Sequence, residues 1–157
     1  MTLQLTSHQV WAEIEKNIFG VLGMVTATGE ARTVGINYVV DDHKLYIGTL
    51  KAAWKTKHVE SNPHVSLTIT IPKRVPLMPW IKIPAATITF SGMAKVLARS
   101  EVNANVRQKL YLHEAESELC VIEVTPQNDF ITYGVGIPLM QMRFPEKARG
   151  RAAVATT

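Results

Sequence analysis

Residues 49–63, TLKAAWKTKHVESNP, gather Lys51, Lys55 and Lys57 beside Thr49 and Thr56. Ammonium and hydroxyl groups hold an anion when they converge; when they do not, they form the wet face of a helix. At ~100° per residue, Ala52, Lys55, Thr56 and Val59 share one helical face, with Trp54, Lys57, His58 and Ser61 opposite. Val59 is the only β-branched aliphatic anchor in that helix, so Lys55 and Thr56 are predicted to project inward. A buried ammonium requires an anionic partner. A helix start also offers unpaired N–H groups and the positive end of the macrodipole, the usual elements of a phosphate site. Lys57 reads as solvated charge, and the residues alone leave a wholly solvated face open as the other reading.

Other chemistry is hard to build from this chain. His8, His43, His58, His64 and His113 are scattered, and none forms a helical pair at metal-ligand spacing, so no metal is expected. His58 and His64 flank a turn and read as surface residues. There is no G-x-S-x-G elbow, no phosphate-binding P-loop and no G-x-G-x-x-G fingerprint. Asp41 and Asp42 are explained by a turn between two strands. Cys120, the only cysteine, lies in the strand-like run ELCVIEV and is expected to be a buried, inert thiol. With no nucleophile or acid–base pair in evidence from the residue pattern, reactivity would have to reside in a cofactor.

The 157 residues, 46% of them apolar, suffice for one core. The formal charge of +4 owes much to Arg143, Lys147, Arg149 and Arg151 near the C-terminus, so it argues little for a polyanionic partner. Tyr38, Tyr46 and Phe90 stand isolated in aliphatic runs, which does not suit base stacking, and no nucleic-acid partner is expected. No apolar run approaches the ~20 residues of a bilayer span, and the N-terminus shows no secretory pattern. A cytoplasmic setting without a membrane partner is the expectation.

The elements that must position the lysines follow from local signals. Thr6 or Ser7 caps a helix over HQVWAEIEKN with Val10, Trp11 and Ile14 inward. Residues 18–49 read as a three-stranded antiparallel meander with turns at TATGEA and DDHK. The lysine helix ends before Pro63, and HVSLTITI alternates as a half-buried strand. PKRVPLMPWIKIP carries four prolines and is irregular; its apolar residues Leu77, Met78 and Trp80 suit a cover for a cofactor, a neighbouring subunit or the barrel's own end. ATITFSGMAKVLA is a long strand that bends at Gly92, and RSEVNANVRQKLYLH a helix capped by Ser100. ELCVIEVTP and DFITYGVG are two further strands. The pattern predicts a mainly β protein: a six- to seven-stranded antiparallel split β-barrel with short flanking α-helices, one domain over 1–143 and a mobile basic tail over 144–157.

The order VVDD at 39–42, LY at 45–46, Lys55 in the helix and NPHVSL at 62–67 resembles the pyridoxamine 5'-phosphate oxidase-like FMN-binding split barrels. The similarity is clearest from Phe19 to Ile71, about a third of the chain. The small FMN-binding proteins of that superfamily have a Lys-Thr pair similar to Lys55-Thr56. The resemblance implies that Gly35, Ile36 and Asn37 run along the isoalloxazine and ribityl chain. It also implies that Thr49, Leu50 and Lys51 offer backbone groups to the ring's polar edge, and that Lys55 and Thr56 grip the phosphate. Gly35 is equally open to reading as a strand bulge. Trp54 stands where true pyridoxamine-phosphate oxidases carry an arginine, and MQMRFPEKARGRAAV lacks their Arg-x-His substrate motif. The resemblance therefore implies a relative and not a true pyridoxamine-phosphate oxidase: a homodimeric FMN oxidoreductase acting on a small molecule, with flavin at the subunit interface. A non-catalytic FMN, deazaflavin or haem carrier is the alternative.

Overall fold

A computed structural model describes residues 3–112 and 117–154. The chain opens with β1 (Leu3–Gln4) and α1 (Ser7–Lys16). Thr6 caps α1 through a capping box: its hydroxyl accepts from the Gln9 N–H at 3.2 Å, and Gln9 Oε1 accepts from the Thr6 N–H at 2.9 Å. Val10, Trp11 and Ile14 are buried, as the 3.6-residue spacing predicts. The buried Tyr38 hydroxyl donates to the Ile14 carbonyl at 2.7 Å and fastens α1 over the barrel.

The expected meander over 18–49 is instead two hairpins. The first joins β2 (Phe19–Val25) and β3 (Ala31–Asn37), and the second joins β4 (Val39–Asp41) and β5 (Lys44–Leu50). β2 begins only at Phe19, opposite Asn37, so β3 runs out of partner there and the chain changes partner at Tyr38. Asp42 and His43 both adopt left-handed backbone (φ 45° and 55°), as a tight two-residue hairpin turn requires. β5 then pairs with β8, not with β3.

α2 (Trp54–Ser61) stops at Asn62, before Pro63, and β6 (His64–Ile71) follows. Residues 72–85 have no regular element, and β7 (Ala86–Ala98) returns along β6. The helix expected over 99–113 breaks into a 3₁₀ turn, Arg99–Glu101, and a short α3 (Ala104–Lys109). Its cap is Asn103, not Ser100; the Asn103 side chain accepts from the Val106 N–H at 2.9 Å. His113, the last residue of that expected helix, lies outside the described residues.

The two strands expected after it are one, β8 (Leu119–Tyr133), bulged near Asn128 where φ is 63°. The region expected as a mobile tail forms α4 (Pro145–Ala148) and β9 (Arg149–Ala153); residues 155–157 lie outside the described residues. β9 pairs antiparallel with the end of β8 and parallel with β1. The architecture is thus mainly β, a curled, antiparallel split barrel in the order β1-β9-β8-β7-β6-β2-β3, with β5 and β4 joined to the first half of β8. Among the described residues there are nine strands, more than expected, because β3 and β4 are separate and both termini add a strand, while the last two expected strands merge into β8.

Leu22, Leu45, Ile47, Leu67, Ile69, Ile88, Phe90, Ile122 and Phe130 fill the interior. A smaller cluster, Tyr46, Leu97, Val102, Val106 and Val121, packs α3 against the outer side. Asp41 ties α3 to β4: it accepts from Asn103 Nδ2 at 3.0 Å and from Asn105, and Lys109 Nζ lies 3.6 Å away.

Gly92 faces Pro126 where β7 crosses β8, and a Cβ there would sit 2.9 Å from Val124 Cγ1 and 3.0 Å from the Thr125 carbonyl. Gly92→Ala is therefore expected to lower unfolding free energy by about 1–3 kcal/mol, read by urea denaturation. An unchanged midpoint would contradict the close crossing. The hydrogen bonds from Asn103 and Asn105, together with Lys109, hold the Asp41 carboxyl below its ordinary range. A carboxylate whose folded pKa is depressed stabilises above its unfolded pKa and loses that contribution as pH falls through the folded value. The stability difference between wild type and Asp41→Asn should thus be constant near neutrality and shrink below about pH 4 in acid titrations.

Candidate functional site

At the end of β5 the chain leaves the ladder and enters α2 with little to cap it. Leu50 pairs opposite Leu119, and the Lys51 N–H donates to the Glu118 carbonyl at 2.9 Å. Ala53 occupies the N-cap and has no side chain to satisfy the first turn. Among the described residues, the N–H groups of Trp54 and Lys55 find no acceptor. An open helix start of this kind carries partial positive charge.

The α2 side chains divide much as the helical wheel predicts. Thr56 and Val59 are buried, Lys55 is half-buried, and Trp54 and Lys57 are exposed. Trp54 packs against His58 with ring centroids 5.5 Å apart. The Thr56 hydroxyl, however, donates to the Leu50 carbonyl at 2.8 Å from a side chain only 1% exposed. It acts as an internal clasp between helix and strand. Lys55 has no ion-pair partner among the described residues.

Beneath the helix start, Thr49 and Cys120 are ladder partners, and both are buried. Thr49 Oγ1 has no hydrogen-bond partner, an orphaned polar atom directly preceding the open turn. Burial pushes the Cys120 thiol up; the Thr56 hydroxyl opposes this, Glu60 adds to it, and Lys51 and Lys55 pull it back. Both lysines therefore lie close enough to this pocket of the barrel for their charge to be felt.

Gly35, Ile36 and Asn37 form a second group on β3. Ile36 points into the core, while Gly35 and Asn37 face outward beside the exposed Ile18 and Phe19. The register from Phe19–Asn37 to Val25–Ala31 is unbroken, so Gly35 is not a bulge. A Cβ at Gly35 would lie 3.0 Å from Phe19 Cε2 and 3.2 Å from Cζ, so glycine leaves the strand bare under the ring. No ladder bond or side-chain hydrogen bond joins this group to the one at α2. Within one chain the structure brings Thr49, Leu50, Lys51, Lys55 and Thr56 together; Gly35, Ile36 and Asn37 lie on β3, which approaches β5 without pairing with it.

Two residues escaped sequence reasoning. Arg99 and Arg107 join Lys51, Ser100, Ser117 and Leu119 around a cavity of about 360 Å³. Each sits in a short helical turn distant in sequence from Lys51, and nothing local marks it. A larger cavity of about 470 Å³, bordered by Glu15, Tyr38, Asp41 and Lys109, contains none of the residues expected to bind a cofactor.

The sequence profile of the pyridoxamine 5'-phosphate oxidase family matches residues 6–129. The chain belongs to that family. No curated protein matches it in sequence. Among solved structures, a heme binding protein from Mycobacterium smegmatis is similar at a TM-score of 0.68 and 16% identity, over 94% of this chain and 57% of the other. The chain thus spans little more than half of that relative. HutZ, the heme storage protein of Vibrio cholerae, gives a TM-score of 0.64 at 16% identity, covering 86% of this chain and 97% of that one. An F420 reductase gives 0.53 at 14% identity, covering 74% and 91%. At these identities the likeness is one of fold.

The residues present fit the phosphate end of such a cofactor through the uncapped amides of Trp54 and Lys55, the half-buried Lys55 ammonium and the orphaned Thr49 hydroxyl. Two of the backbone groups assigned to a ring edge are already used: the Leu50 carbonyl accepts from Ala53 and Thr56, and the Lys51 N–H donates to Glu118. Cys120, buried with its thiol pKa raised, should react with a thiol reagent many times more slowly in the native protein than in denaturant at neutral pH. Equal rates in the two states would show that the pocket under α2 is open.

Proposed function

We propose that the protein binds FMN at the start of α2 and works as a flavin-dependent oxidoreductase on a small molecule, as a homodimer with the cofactor between subunits. The observation that carries this reading is the α2 N-terminus: an eight-residue helix with no capping side chain, two unaccepted N–H groups and a half-buried lysine. A phosphate dianion would satisfy all three at once. Bound FMN supplies reversible one- and two-electron chemistry, and the chain's own residues bind it, orient it and exclude water. Lys55 would neutralise the phosphate. Gly35 carries no side chain of its own, and the exposed Phe19 ring that lies over it would have to swing aside, or stack beside the flavin, for a planar ring to reach this strand.

The same surface supports the dimer reading. Ile18, Phe19, Leu50 and Trp54 are exposed large apolar side chains around the two groups of candidate residues. A second copy would cover them, and the site would then be completed by residues of two chains.

Purified protein is expected to be yellow or to become so with added FMN. Lys55→Ala should weaken FMN binding by about tenfold to a hundredfold, the value of a charge-assisted hydrogen bond. Lys57→Ala, on the exposed face, should change it less than about twofold. Superimposable titrations of the two variants would remove the phosphate assignment. A protein that ignores FMN but takes up a deazaflavin or haem assigns the site to that ligand instead. Failure of the FMN-loaded protein to turn over any reductant or acceptor marks it as a carrier.

A further inference from the structure

We propose that the end of the barrel opposite α2 docks on an anionic phospholipid surface through the proline-rich loop 72–85 and the basic segment 143–149. The proposal does not depend on which cofactor the protein binds. Both segments leave the same end of the sheet: the loop joins Ile71 to Ala86, Thr87 pairs with Tyr133, and Tyr133 pairs with Arg149.

The loop presents hydrocarbon outward. Leu77 is 94% exposed and Trp80 74%, and Met78 and Ile81 are also exposed. Of the three covers open to this loop, the barrel's own end is not what its tip packs against. Leu77 sits in left-handed backbone (φ 65°), and two tight turns close the tip, Met78 N–H to the Val75 carbonyl at 3.2 Å and Ile81 N–H to the Met78 carbonyl at 3.1 Å. With four prolines the tip is stiff, so little conformational entropy remains to be lost when it is buried. A stable, water-facing cluster of this kind has an apolar destination.

Charge indicates which destination. The loop carries Lys73, Arg74 and Lys82 and no acidic residue. The second segment adds Arg143, Lys147 and Arg149 against Glu146 alone. Among the described residues none of these six cations has an ion-pair partner, whereas Lys16, Arg32, Lys44, Lys109 and Arg151 each have one. Arg143 and Lys147 lie instead over the partly exposed Phe144 ring, 4.8 Å and 5.0 Å from its centroid.

Cations flanking an apolar tip with an amphipathic indole, at the same end of the sheet as a second basic segment, complement a bilayer interface, where headgroups are anionic and the layer below is hydrocarbon. Nucleic acid would satisfy the charge but not Leu77, Met78 and Ile81. The absence of a helix long enough to span a membrane among the described residues does not bear on a peripheral contact of this kind. The expectation of no membrane partner was drawn from the lack of a span and leaves such a contact untouched.

The test is co-sedimentation of the full chain with vesicles of phosphatidylcholine alone and of phosphatidylcholine mixed with phosphatidylglycerol. Binding to the anionic vesicles only, weakening as salt rises, supports the proposal. Each Lys73→Gln, Arg74→Gln or Lys82→Gln substitution should lower the partition coefficient by about fivefold. A blue shift of tryptophan emission on binding should vanish in Trp80→Ser, because Trp11 is buried in the core and Trp54 lies on α2. Thermal unfolding of these exposed-loop variants should match wild type, which separates lost docking from lost folding. No binding to anionic vesicles at low salt overturns the proposal, as does equal binding to both vesicle types. It is also overturned if Leu77→Asp converts a dimer to a monomer without any vesicle binding, for then a second copy covers the tip. Retention on duplex DNA in place of vesicles overturns it as well.

Discussion

The structure depends on one strand being shared among three others. β8 keeps β7 along one edge for most of its length, while its other edge pairs first with β5 and then with β9. Backbone N–H and C=O groups buried in a sheet must be paired, so a strand that changes partner has to turn as it does so. The bulge at Asn128 and the bare backbone of Gly92 make that turn possible. Without it the sheet would continue flat, and β5 could not curl back to close the barrel from the side of β4.

That exchange also makes the two ends of the barrel different. At one end, β5 stops against the start of β8 and releases the chain into α2, where Thr56 fastens helix to strand. Among the described residues the first helix N–H groups, of Trp54 and Lys55, are unmet there, as is the Thr49 hydroxyl of the strand; a second buried orphan, the Thr132 hydroxyl, lies towards the other end of β8. At the other end, β7 and β8 emit the proline-rich loop and the segment leading to β9, where cations lack partners and apolar side chains face water. An uncapped helix start and a basic, apolar tip are consequences of the same strand order.

A side chain's neighbours, more than its type, determined its role at the candidate site. Lys55 and Thr56 are adjacent, yet one is half-buried without an ion-pair partner and the other is spent on the Leu50 carbonyl. Leu50 and Lys51 likewise use backbone groups that the family resemblance assigned to a ring. Gly35 needs no unusual backbone; its lack of a side chain matters because Phe19 lies across it from the neighbouring strand.

Local signals sufficed where the physics is local. The Thr6 capping box, the Asp42-His43 turn, the stop at Pro63, the irregular proline loop and the alternation of HVSLTITI each rest on neighbours within a few residues. The ordered run from VVDD to NPHVSL was likewise legible, and with it the family. RGRAA at 149–153 was not legible as a strand, because its ordering comes from β8 and β1 and not from any apolar alternation of its own. The continuity of β8, the cap at Asn103 and the meeting of Lys51 with Arg99 and Arg107 were hidden for the same reason. Sequence determined which segments prefer which conformation; only the tertiary structure decided which hydrogen-bonding groups were already satisfied, because partners distant along the chain make that choice.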